Sequence, residues 1–95
     1  MKEIILHVTY RCLPGKAEDF VRILKESGLQ KTVREEDGNL QYDYLLSCEE
    51  QDTVVLLEKW RDAAALTAHA ATAHMKRMPE LKEGRVLETV IERYE

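Results

Sequence analysis

NLQYDYLLS at residues 39–47, then CEEQD at 48–52, then TVVLLEKW at 53–60, is the stretch on which the reading of this chain turns. The first segment alternates, with Leu40, Tyr42, Tyr44 and Leu46 on one side and Gln41, Asp43, Leu45 and Ser47 on the other. That period of two is the signature of a strand. The polar run Glu49 to Asp52 is of hairpin length, so Thr53 to Trp60 is expected to return antiparallel beside it. Val54, Leu56, Glu58 and Trp60 then share one face, and a carboxylate stands among large apolar side chains.

Working outward, residues 3–11 alternate Ile4, Leu6, Val8 and Tyr10 against Ile5, His7, Thr9 and Arg11, which predicts a first strand. After Pro14 and Gly15, the helical spacing of Ala17, Phe20, Val21, Leu24 and Gly28 predicts one helix to about Arg34. Glu18 and Asp19 suit its positive end. Gly38 supplies a left-handed residue that releases the chain into the next strand. Asp62 is placed to cap a helix that opens Ala63-Ala64-Ala65-Leu66. His69 and His74 are five residues apart, so they converge only if that helix breaks near Thr72, itself a candidate N-cap. Pro79 and Gly84 bracket a loop, and Arg85 to Tyr94 form a last strand.

The order strand, helix, strand, strand, helix, strand specifies the α+β, ferredoxin-like βαββαβ arrangement in one domain over residues 1–95. Both helices fall on one face of an antiparallel sheet. The other face is then free to pack against a second copy, and a homodimer is expected. A net charge of −4 without a basic stripe excludes nucleic acid as the natural partner. No apolar run approaches the roughly 20 residues of a membrane helix, and Lys2 and Glu3 interrupt any leader, so a cytoplasmic protein without membrane association is expected. Cys12 and Cys48 have neither disulfide-framework nor zinc spacing.

Three segments together resemble the antibiotic biosynthesis monooxygenase family over nearly the whole chain: Glu35 to Tyr42, Leu57 to Asp62, and Leu66 to Met75. The resemblance rests on a Glu-x-Gly turn (Glu36, Gly38), the following Tyr42, the Glu-x-Trp of Glu58 and Trp60, and the histidines His69 and His74. It implies a dimeric α/β barrel and oxidation of a quinol or polycyclic aromatic molecule by O₂ without metal, haem or flavin. The second histidine stands between Ala73 and Met75, whereas the family often has Pro before it and Phe after it. Haem-degrading relatives use an Asn on the first strand and a Trp on the second helix; His7 and Val8 stand here, with no Trp after position 60.

Such a reaction needs a base, a donor to the developing oxyanion and a dry pocket. His69 or His74 is the natural base, with Glu58 to orient a histidine or receive a proton. Tyr42, Trp60, His7 and Tyr44 are candidate substrate contacts. Structural roles stand beside each of these: helix packing for the histidines, core for Trp60, an ion pair with Arg61 or Arg85 for Glu58, the dimer interface for His7. Tyr44 shares a face with Tyr42 and can replace it in the pocket. Glu35, Glu36 and Asp37 read as a solvated helix end. No metal is expected on His69, His74 and Glu58, because His-x₄-His is off the i, i+4 spacing by which a regular helix shares an ion. Other readings of the same frame are an isomerase of a small phosphorylated signal, as in autoinducer-2-degrading relatives, and a non-catalytic dimer that holds an apolar ligand.

Overall fold

The hairpin that decides the reading is present in the computed structural model, which describes residues 2–95. Strand β1 spans Ile4–Cys12, β2 Asn39–Leu46, β3 Thr53–Trp60 and β4 Val86–Tyr94. They form one sheet in the order β2-β3-β1-β4 with every neighbouring pair antiparallel. This is the ferredoxin-like order: the hairpin strand β3 pairs with β1, and β4 adds on β1's other side. Tyr42 faces Glu58 and Tyr44 faces Leu56 across the β2–β3 ladder.

The helical layer covers the face that carries Ile4, Leu6, Val8, Tyr10 and Cys12, all buried. Helix α1, Ala17–Glu26, buries Ala17, Phe20 and Leu24 against it. The Phe20 ring meets Tyr10 edge-on at 5.1 Å, a favoured aromatic geometry. The helix does not run on to Arg34. It stops at Ser27, whose hydroxyl donates to the Leu24 carbonyl (2.6 Å) and accepts the Leu29 N–H (3.2 Å). Gly28 then turns through φ 78°, and α2, Leu29–Arg34, starts in a new direction that buries Leu29 and Val33.

Asp62 caps α3, Ala63–Ala70, by accepting the Ala65 N–H at 2.9 Å. The helix ends where the sequence required a break, but Thr72 does not cap a restart. Its hydroxyl donates backwards to the His69 carbonyl at 2.8 Å and closes the outgoing end. A 3₁₀ turn follows at His74–Arg77, and then α4, Met78–Lys82. Pro79 therefore sits in the first turn of a short helix rather than in a loop, a position that its missing N–H and fixed φ suit.

Gly38 has φ 89°, the left-handed value expected of it. It also touches the next helix: a Cβ at this position would overlap the Ala65 Cβ. The Arg61 N–H donates to the Gly38 carbonyl at 2.8 Å. The loop after α2 is thereby laid against the start of α3, with Glu36 two residues before the contact. On the opposite sheet face, Ile5 pairs with Tyr94 and Leu45 with Val55. Ile5, Leu45 and Tyr94 are 40%, 46% and 52% exposed, so this side bears large apolar side chains that no other described residue covers. Cys12 is buried and Cys48 exposed, and both are free thiols. No helix among the described residues is long and apolar enough to cross a membrane.

Candidate active site

Glu36 is the residue on which the two histidines meet. Its Oε2 lies 2.9 Å from His69 Nδ1 and 2.6 Å from His74 Nε2, and its Oε1 lies 3.2 Å from His69 Nδ1. An ionised carboxylate only accepts hydrogen bonds, so each imidazole nitrogen must carry a proton toward it. A neutral His69 ring is then the Nδ1–H tautomer, with the Nε2 lone pair free. Three different segments build this arrangement: the loop pinned by Gly38, the last turn of α3, and the 3₁₀ turn. Helix α3 ends four residues before His74, and that break carries the second imidazole back to the carboxylate of the first.

His69 is buried at 4% exposure. Its ring lies 4.5 Å from the Trp60 ring and 6.1 Å from the Tyr42 ring, so two large buried aromatics fix its orientation from behind. Its Nε2 points toward Glu58, with the nearest oxygen at 3.8 Å, beyond hydrogen-bond range. Glu58 is buried on β3 and accepts the Trp60 indole N–H at 3.0 Å. Burial raises its pKa, and the Trp60 hydrogen bond and the nearby His69 oppose that rise. The site thus pairs a base with its lone pair free and a carboxyl group biased toward holding a proton.

Both groups open onto a cavity of about 310 Å³ between the sheet and α3–α4. Leu6, Val8 and Ile91 form its floor, and Leu66, Met75 and Met78 its roof. The polar groups are few: Glu58, His69, Tyr10, Thr89 and Lys82. Burial pushes the Tyr10 phenol well above its ordinary range, so it stays a neutral hydroxyl. Thr89 contributes a buried Oγ1 without a hydrogen-bond partner. The Lys82 ammonium lies 5.7 Å from the centre of the Tyr10 ring, close enough for a cation–π contact. Ile91 on β4 is 61% exposed, and the cavity is open along that edge.

Of the residues singled out from sequence, His69 and Glu58 line the cavity together. His74 reaches the site only through Glu36. Tyr42 and Trp60 are fully buried behind His69 rather than on the cavity wall, and Tyr44 stacks edge-on against Tyr42 at 5.8 Å. His7 is on the opposite face of the sheet, 3.5 Å from Glu92, because it alternates with the cavity residues Leu6 and Val8. Glu58 forms no ion pair with Arg61 or Arg85; those pair with Asp37 and Asp62, and with Asp19. Glu36 is not part of a solvated helix end: its side chain is 13% exposed. Its sequence signal was the Glu-x-Gly turn. The spacing argument against a shared ion fails on the same break, since it assumed a continuous helix, and the carboxylate beside both histidines is Glu36 rather than Glu58.

Residues 3–81 match the family described as "Antibiotic biosynthesis monooxygenase". Among curated proteins, the chain is 38% identical over 73 residues to "Putative monooxygenase YcnE" of Bacillus subtilis (strain 168), covering 77% of this chain and 75% of that one. It is 35% identical over 86 residues to "Probable quinol monooxygenase YgiN" of Escherichia coli (strain K12), covering 82% and 83%. The fold is similar to the crystal structure of PA3566 from Pseudomonas aeruginosa, with TM-score 0.85, 31% identity, and 99% and 93% of the two chains covered. By the extent of the family match and the identity to these relatives, this chain belongs to the antibiotic biosynthesis monooxygenase family.

Proposed function

We propose that the protein is a cofactor-independent monooxygenase of a quinol or polycyclic aromatic molecule and that His69 Nε2 is its base. The observation that carries this reading is the placement of the His69 ring, held at Nδ1 by the Glu36 carboxylate and set in the wall of an apolar cavity. A carboxylate on Nδ1–H fixes the tautomer and favours the imidazolium that forms when Nε2 takes a proton. A ring hydroxyl or an activated ring CH₂ of the substrate gives up that proton. The resulting anion is electron-rich enough to reduce O₂; one oxygen atom enters the ring carbon as a carbonyl, and the other leaves as water with electrons drawn from the substrate. Glu58, biased toward its protonated form, and the neutral Tyr10 and Thr89 hydroxyls are the donors available to charge developing on oxygen. Lys82 adds a positive charge at the wall.

The name of the Escherichia coli relative supports a quinol as the substrate class. The lining favours an aromatic ring over a phosphorylated sugar: it has one cation, already above Tyr10, and none of Arg11, Arg61 or Arg85 contributes. The exposure of Ile5, Leu45 and Tyr94 on the far sheet face supports a homodimer packed through that face. The compartment that goes with this reading is the cytoplasm. The test of function is O₂ uptake with reduced naphthoquinol or anthrone. Turnover in the wild type with a loss of about 100-fold or more in His69→Ala is expected, within the range of general-base effects. Turnover unchanged by His69→Ala would remove the base, and ligand binding without turnover would favour a binding protein.

A further inference from the structure

The Glu36, His69 and His74 cluster has a second capacity that proton transfer does not use. Two imidazole nitrogens and a carboxylate oxygen, one from each residue, all lie within 4.8 Å of one another. They come from three separate segments, and both nitrogens aim at the same oxygen. Tetrahedral ligand bonds of about 2.0–2.2 Å place neighbouring ligand atoms roughly 3.3–3.6 Å apart, so the 2.6 Å pair must open by somewhat under an ångström and any pair near the 4.8 Å limit must close by about as much or a little more. His74 has the freedom for this, since it sits on a 3₁₀ turn with its side chain 22% exposed.

The far nitrogen of His69 faces the Glu58 carboxyl at 3.8 Å, on the side where a ligating imidazole has its outer partner, but beyond hydrogen-bond range. On the outer side, Glu36 also lines a cavity of about 350 Å³ with Asp37, Arg61, Thr72 and three alanines of α3.

We propose that Glu36, His69 and His74 form a binding site for one divalent transition-metal ion of the zinc class, with coordination positions left for water. Imidazole and carboxylate donors suit Zn²⁺, Co²⁺ or Ni²⁺ and discriminate against Mg²⁺ and Ca²⁺, which take oxygen ligands. Binding has a definite consequence for His69. The ion takes the place of the proton on Nδ1, so the neutral ring must carry its proton on Nε2, and the lone pair that faces the cavity is lost. The metal-bound protein is therefore the form without a base. This consequence rests on the monooxygenase reading, whereas the binding itself does not.

Binding is measured by calorimetric titration of Zn²⁺ into chelator-treated protein at pH 7.5 in a non-coordinating buffer, and by the visible spectrum with Co²⁺. One Zn²⁺ per chain at micromolar affinity or tighter is expected. His74→Ala and Glu36→Gln should each weaken it at least 10-fold with their melting transitions retained, while Cys48→Ser and His7→Ala leave it unchanged. The Co²⁺ spectrum should show d–d bands without thiolate charge transfer. No stoichiometric Zn²⁺ binding by the wild type, full affinity in His74→Ala, or a loss in Cys48→Ser would overturn the proposal. Zn²⁺ inhibition of O₂ uptake then tests the consequence separately: tight binding without inhibition of an active enzyme refutes only the role given to the His69 lone pair.

Discussion

Gly38→Ala separates the two demands that this position meets. The backbone there has φ 89°, which costs an L side chain about 1–2 kcal/mol. In addition, the new methyl would overlap the Ala65 Cβ on α3, and overpacking of that kind costs about 1–3 kcal/mol. The sum is about 2–5 kcal/mol, a large part of the total stability of roughly 5–14 kcal/mol expected for a chain of this size. Gly28→Ala is the matched control. Its φ of 78° is similar, but nothing lies within 4 Å of the added carbon, so only the strain of about 1–2 kcal/mol remains. Urea unfolding followed by Trp60 fluorescence reads both values. Gly38→Ala should lose at least about 1 kcal/mol more than Gly28→Ala. Because relief of the overlap moves the loop that carries Glu36, it should also lower turnover, whereas Gly28→Ala should not. Equal losses in the two variants would refute the close approach of the Glu36 loop to α3.

Asp62→Ala removes the oxygen that accepts the Ala65 N–H and should cost about 1 kcal/mol in the same urea assay; no change would deny it the capping role. Glu58→Gln keeps an acceptor for the Trp60 indole but no longer has a buried group to ionise. Because the folded-state pKa of Glu58 is raised, its penalty is absent below the ordinary carboxylate pKa of the unfolded chain, grows as pH rises from there to the raised folded value, and is complete above that value. The variant should therefore melt higher than wild type near neutral pH, and a lower melting temperature would contradict the bias toward the protonated form. Asp19, Asp37 and Asp62 behave in the opposite sense: hydrogen bonds from Arg22 and Arg85, from Arg61 and from the Ala65 N–H respectively hold their pKa values below the ordinary carboxylate value. Their contribution is complete above about pH 4 and lost as pH falls through the depressed folded values, so the urea midpoint should drop between pH 5 and pH 3. A midpoint that rises over that interval would contradict this. A sedimentation experiment at micromolar concentration should give a dimer, and Leu45→Glu on the bare sheet face should shift it to monomer; a wild-type monomer would refute the homodimer.

The sheet was legible because a period-two pattern is local: Tyr42, Tyr44, Leu56, Glu58 and Trp60 declare their face within a few residues of one another. The caps at Asp62 and Gly38 were legible for the same reason. The break at Gly28 was hidden because Ala17, Phe20, Val21, Leu24 and Gly28 continue one helical spacing. The intact pattern outweighed the signal of a single glycine, which turns left-handed with φ 78° and lets α2 start in a new direction. Glu36 was hidden differently. In a Glu-Glu-Asp run, the one local mark of the buried carboxylate is Gly38 two residues on, and its partner His69 is 33 residues away. Burial of one acid among three is decided by Gly38 meeting Ala65, a tertiary contact whose only trace in sequence is the glycine. The convergence of His69 and His74 was correctly tied to a helix break, but the group on which they converge had to come from another segment.

The central claim is that Glu36 holds His69 as the Nδ1–H tautomer with a bare Nε2 facing the cavity. Long-range ¹H–¹⁵N correlation spectra of metal-free protein at pH 7.5 measure this directly, since protonated and unprotonated ring nitrogens resonate far apart. The predicted result is a protonated Nδ1 and an unprotonated Nε2 for His69, with that preference lost in Glu36→Gln. An Nε2–H tautomer in the wild type, or a pattern indifferent to Glu36→Gln, would contradict the claim.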